Sequence, residues 1–157
     1  MNKVLIHQPE YIPWVNFFLR LKKCDILVIL DDVQFSRRSF QNRNLIINNN
    51  NEIYLTVPVK KNKFKSKINE IKIDYSTDWM QSHLKSLYHS YKKREYFDII
   101  YEDFKKILKY KFEYLAELNI FILKHLIKKF NLKCKIHLSS KLDYNSQKSD
   151  LILYLFE

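Results

Sequence analysis

Three groups of residues have types and spacing that could do chemistry. The first is His7-Gln8-Pro9, followed by Tyr11, Pro13 and Trp14. An imidazole titrates near neutral pH and can act as a general acid or base, or simply bond the neighbouring loop. Gln8 offers an amide for orientation, Tyr11 a phenol and Trp14 an apolar wall. The second group is Asp31-Asp32 with Gln34. Two adjacent carboxylates could orient an imidazole or hold one hard cation. The plainer reading is a strand-end Asx turn or cap. The third group is Arg37, Arg38 and Arg43 with Gln41, Asn42 and Asn44. Three of five arginines fall within seven residues, and their planar forks suit phosphate or carboxylate. A solvated loop is the competing explanation. Ser139-Ser140 is a weaker candidate, because serine pairs in turns usually cap.

Position gives these groups their interest. Residues 3–8 read as a short buried strand ending at His7. Residues 14–23 carry apolar side chains at helical spacing, and Pro13 suits a helix start. ILVIL at 26–30 is a continuous apolar run, as in a strand covered on both faces. Together they predict a parallel βαβ unit, with His7 and Asp31-Asp32 sharing the carboxyl edge where open α/β sheets bind ligands. Residues 31–44 have no periodicity, and so long a loop is commonly functional. Asn48 to Asn51 predict a turn in which Asn replaces Gly at positive φ.

Residues 52–60 and 68–74 alternate, predicting a hairpin or two neighbouring strands around a basic tip at 60–67. Ser76 or Thr77 is the expected cap of a helix whose apolar side is Trp79, Leu84, Leu87 and Tyr91. A second amphipathic helix is expected from Phe97 to Leu115, and a third from Leu118 to Phe130. A strand at 133–138, a polar turn at 139–148 and an apolar helix at 150–157 complete the prediction. The expected fold is one α/β domain over 1–157: a βαβ unit with a small, mostly parallel sheet, a β-hairpin and a helical C-terminal half.

Composition narrows the functional classes. The chain has 157 residues and no glycine. Walker loops, Rossmann fingerprints, G-x-S-x-G elbows and EF-hand loops all need glycine, so none is present. The net charge of +11 invites a polyanion partner. However, Lys, Asn, Ile, Tyr and Phe are abundant while Gly, Ala, Pro and Arg are scarce. That is the mark of an AT-rich genome, and it disfavours nucleic acid as the reason for the charge. Cys24 and Cys134 have neither metal spacing nor a disulfide framework. With no signal peptide and no membrane-spanning run, a cytoplasmic location is expected. The pattern points to no particular metal or cofactor.

Three stretches, IHQPEYIPW, CDILVILDDVQFSRRSFQNRN and YLTVPV, resemble the WbqC-like family of bacterial O-antigen and surface-polysaccharide cluster proteins. The motif positions are His7, Gln8, Pro9, Tyr11, Trp14, Asp31, Asp32, Gln34, Asn42, Arg43 and Asn44. The match is specific for residues 1 to about 60 and looser for 75–140. Family members usually carry a glycine where this chain has WVNFF. They also extend some seventy residues further, so the chain is expected to be C-terminally truncated relative to the family.

The resemblance implies a role in sugar or polysaccharide modification. By fold-level analogy, the layout also matches nucleotidylyltransferase-like α/β domains. The leading expectation is a transferase on an activated sugar or an acyl/aminoacyl donor. His7 would be the acid/base, assisted by Asp31 or Asp32. Arg38 and Arg43 would hold phosphate or carboxylate, Gln8 and Asn44 would orient the substrate, and Trp14 would wall the pocket. The alternatives are a non-catalytic binding module or inactive fragment, and a polyanion-binding protein.

Overall fold

The structure, a computed structural model, describes residues 2–48, 50–63 and 65–142. The predicted βαβ unit is present. Strands β1 (Val4–His7) and β2 (Ile26–Ile29) pair in parallel, with His7 opposite Ile29. Helix α1 (Val15–Leu21) makes the crossover, with Trp14 as its extended N-cap. A later strand, β5 (Lys135–Leu138), pairs in parallel on the other side of β2, giving the order β1-β2-β5. The central position of β2 explains its unbroken apolar sequence: Leu27, Val28 and Ile29 are all buried. Leu27 and Ile29 pack with Phe17, Phe18 and Leu21 of α1, and with Leu123 and Ile127 of helix α4 (Leu115–Lys129). Each such fully buried aliphatic side chain contributes roughly 1.5–3 kcal/mol.

The hairpin is displaced from its expected place. Strand β3 (Arg43–Asn48) pairs antiparallel with β4 (Asn51–Thr56), so the polar stretch before residue 44 ends in a strand. The turn between them holds Asn50 at φ 63°, a conformation that Asn tolerates. Residues 68–74 do not form the second arm. Ile68, Ile71 and Ile73 are the buried positions there, and the first step of three breaks the strand period. Ile68–Glu70 is instead a 3-10 turn, followed by isolated bridges between Val59 and Ile73 and between Lys72 and Tyr114.

Helix α2 (Trp79–Tyr91) is capped by Asp78, not by Ser76 or Thr77; Asp78 accepts a hydrogen bond from the Gln81 N–H at 3.3 Å. Helix α3 (Phe97–Leu108) stops short of the expected Leu115, which begins α4. α4 runs through the middle of the larger core, where Leu115, Leu118 and Ile122 meet Leu55, Val57, Ile68, Ile71 and Phe104. Its end is marked by Asn131 at φ 51°. A 3-10 turn, Ser139–Lys141, follows β5. The rest of the polar turn expected at 139–148 and the helix expected at 150–157 lie outside the described residues. Among the described residues, no helix is long and apolar enough to cross a membrane.

Candidate functional site

The parallel register brings three strand ends to one edge: His7 as the last residue of β1, Asp31-Asp32 after β2 and Ser139-Ser140 after β5. His7 sits with its ring edge-on to Phe17, the centroids 4.9 Å apart. Its Nδ1 is 2.8 Å from the Gln8 carbonyl oxygen, which can only accept. Nδ1 therefore carries the proton, and Nε2 is the basic nitrogen. Nε2 lies 3.8 Å from a carboxylate oxygen of Glu10, three residues further along the loop. Burial pushes the Glu10 pKa up, against the opposing pull of the His7 and Arg20 charges. The two place an imidazole and a carboxylate side by side on one short loop. The His7–Glu10 spacing is visible in the sequence, but Glu10 was not among the residues singled out from it.

Asp31 does other work. It is 4% exposed. Its carboxylate accepts hydrogen bonds from the Ser139 hydroxyl (3.2 Å), the Ser140 N–H (3.0 Å) and the Ser140 hydroxyl (2.6 Å). It therefore locks the turn after β5 onto the end of β2. Asp32, half-buried beside it, accepts from the Ser139 hydroxyl as well. Among the described residues, no group of three or more His, Cys, Asp or Glu side chains gathers as a metal site.

The long loop is held by amides. Gln41 is buried; it donates to the Gln8 side chain at 2.7 Å and accepts from the Ser36 N–H at 2.8 Å. Asn42 donates to the Val57 carbonyl at 3.1 Å. Asn44 donates to the carbonyls of Tyr11 and Ile12. Those bonds restrain Ile12 at φ 53°, a costly conformation for a β-branched residue. The exposed side of the loop carries Gln34, Arg37 and Arg38. It is zipped to the basic segment by Phe35 N–H to Ser66 O, Ile68 N–H to Val33 O, and Arg37 to the Asn62 side chain at 2.9 Å. Asn69 N–H reaches the Asp31 carbonyl at 3.0 Å, so the segment after the basic tip is tied to the end of β2. Arg43 lies instead on the hairpin, its guanidinium 4.1 Å from the Tyr54 ring centroid.

Two of the predicted binding residues differ sharply in access. Trp14 is 61% exposed at the entrance to α1, whereas Tyr11 is 0% exposed. The Tyr11 hydroxyl is 2.9 Å from His83 Nδ1, and His83 Nε2 is 3.1 Å from the Thr56 carbonyl. That carbonyl requires the proton on Nε2, so Tyr11 donates to Nδ1. Burial lowers the His83 pKa to about 4, only partly countered by the Thr56 bond. Burial also pushes the Tyr11 phenol far above its ordinary range. Asn119, fully buried on α4, donates to Pro9 O at 3.0 Å and Gln41 O at 2.7 Å. Neither His83 nor Asn119 was picked out from the sequence. A polar residue inside an apolar helical face, as Asn119 is between Leu118 and Ile122, was the available signal.

The chain belongs to the WbqC-like protein family, whose model matches residues 8–157. It is similar to a Mycobacterium tuberculosis protein described as the uncharacterized protein Rv1507c, at 39% identity over 98 residues. That alignment covers 62% of this chain and 42% of the relative, so the chain matches less than half of that protein's length. No solved structure matches.

Proposed function

We propose that this WbqC-like chain is a cytoplasmic transferase of surface-polysaccharide biosynthesis, using an activated sugar or acyl donor, with His7 as its acid/base. One observation carries the reading. His7 stands at the carboxyl end of a parallel strand with Nδ1 fixed by a backbone carbonyl, leaving Nε2 beside Glu10. In this role Nε2 takes the proton from the attacking hydroxyl or amine of the acceptor while the donor's leaving group departs. Glu10 supports the imidazolium formed, in the part first expected of Asp31 or Asp32. Arg38, on the exposed side of the long loop, receives the donor's phosphate or carboxylate. Trp14 walls the approach. Gln8 presents an amide held by Gln41. Asp31, Tyr11, Asn42 and Asn44 act as positioning residues. The partners on this reading are small molecules, not nucleic acid.

The test replaces the chromosomal gene with the His7→Ala or Glu10→Gln form and analyses surface glycans by mass spectrometry. The expected result is loss of one glycan modification in His7→Ala and a partial loss in Glu10→Gln, with both proteins folded. A glycan profile identical to wild type in a folded His7→Ala strain overturns the assignment.

A further inference from the structure

A cleft of about 410 Å³ opens between β4 and α2, away from the sheet edge. Its size falls within the roughly 300–1,000 Å³ typical of small-molecule sites. One wall is strand β4, with the 52%-exposed ring of Tyr54 and the hydroxyl of Thr56. The other is a polar row at four-residue steps, so on one helical face: Asp78, Ser82 and Ser86. Trp79 and His83 close the floor.

Strand parity adds a main-chain contact. The Thr56 carbonyl accepts from His83 and so points away from β3. Tyr54, two residues back, directs its N–H and C=O to that same outer edge. Asp78 Oδ1 accepts from the Gln81 N–H, and a carboxylate has capacity for further donors. The guanidinium of Arg43 stands over the ring of Tyr54, and Arg43 pairs across the hairpin with Thr56, both of which line the cleft. By contrast, the neighbouring cleft of about 360 Å³, between the hairpin and α2–α3, is walled by Leu45, Leu87, Phe97 and Phe104.

We propose that the β4–α2 cleft is a saccharide site that takes a hexose phosphate. The sugar hydroxyls lie on Asp78, Ser82, Ser86 and the Tyr54 main chain, and the phosphate lies beside Arg43. The chemistry matches: a hexose has many hydroxyls and weakly apolar faces, and needs carboxylate, hydroxyl and peptide partners next to an aromatic ring. The buried His83, bonded to Tyr11, ties this cleft to the loop that follows His7. The proposal rests on the activated-sugar form of the transferase reading, and adds a second saccharide site apart from the donor that His7 and Arg38 receive.

The probes are the 1-phosphates of glucose, galactose and N-acetylglucosamine, with free glucose as the uncharged control. Binding to the full chain is read by saturation-transfer NMR and calorimetry. At least one hexose 1-phosphate should bind at or below about 10 mM, and Ser82→Trp should weaken it at least roughly tenfold by filling the cleft. Ser82 is exposed, so this variant keeps the fold. Arg43→Ala should remove the preference for the phosphorylated sugar, and His7→Ala should bind as wild type. The proposal is overturned if no hexose phosphate binds, or if Ser82→Trp binds as tightly as wild type. Binding lost in His7→Ala but kept in Ser82→Trp also overturns it, because the sugar then sits at the sheet edge and the transferase reading stands without this cleft.

Discussion

His83 makes the stability of this fold depend on pH in a defined window. Its ring is 5% exposed and lies between the Tyr11 hydroxyl, the Thr56 carbonyl and the Trp79 ring, whose centroid is 5.1 Å away. No carboxylate is among these partners, so a proton gained there has no counter-charge. The folded state holds the pKa near 4, while the unfolded chain titrates near 6.5. Above pH 6.5 both states are neutral at this site and the full stability is present. As pH falls from 6.5 to about 4, the unfolded chain takes up a proton that the folded chain refuses, and stability falls. At about 1.4 kcal/mol per pH unit, the loss over this window is of order 3 kcal/mol. The assay is urea unfolding by circular dichroism at half-unit steps from pH 7.5 to 4, on wild type and His83→Gln. The variant is less stable at pH 7.5, but its curve should be flatter below 6.5, and the difference between the two curves isolates this group. Parallel curves between pH 6.5 and 4.5 would refute a buried neutral His83.

Two other buried polar groups give sharp expectations. Asp31→Ala removes the acceptor of the Ser140 N–H and hydroxyl, while the Ser139 hydroxyl keeps Asp32, and should cost about 2–4 kcal/mol in a urea titration. An unchanged midpoint with lost activity would instead make Asp31 a catalytic group. Asn119→Leu strands the carbonyls of Pro9 and Gln41 and should cost about 2–3 kcal/mol. A variant as stable as wild type would show that these carbonyls find other donors.

The parallel core was legible because its signal is local. ILVIL needs burial on both faces, and β2 is the central strand. The hairpin was harder to read because its arms alternate only partly. Ile46 faces inward but exposed Ile47 follows it, so the period of two is blurred just where β3 runs. Conversely, 68–74 looks alternating, yet buries residues at a step of three. The early end of α3 was also unreadable from periodicity. Apolar residues continue past Leu108, but Phe112 lies in the connection and Leu115 opens the next helix, and both face the same core.

The site shows the same division between local and long-range information. The strand-end positions of His7 and Asp31 follow from the βαβ pattern alone. The roles do not, because they depend on partners far along the chain. Ser139 and Ser140, over one hundred residues away, turn Asp31 into a clamp, and His83 draws Tyr11 into the core. Several motif residues are thereby spent on holding backbone: Asn44 on the Ile12 corner, Asn42 on Val57, and Asp31 on the turn after β5. A chain without glycine needs such restraints, since it places Ile12, Arg38 and Tyr96 at φ 53°, 58° and 63° with side chains that resist it. What the scaffold leaves accessible is a shorter set: His7 and Glu10 in partial exposure, exposed Trp14, and the arginines of the loop and hairpin. The chemistry must be looked for in that set, because a residue that already spends its polar atoms on the fold has little left to offer a substrate.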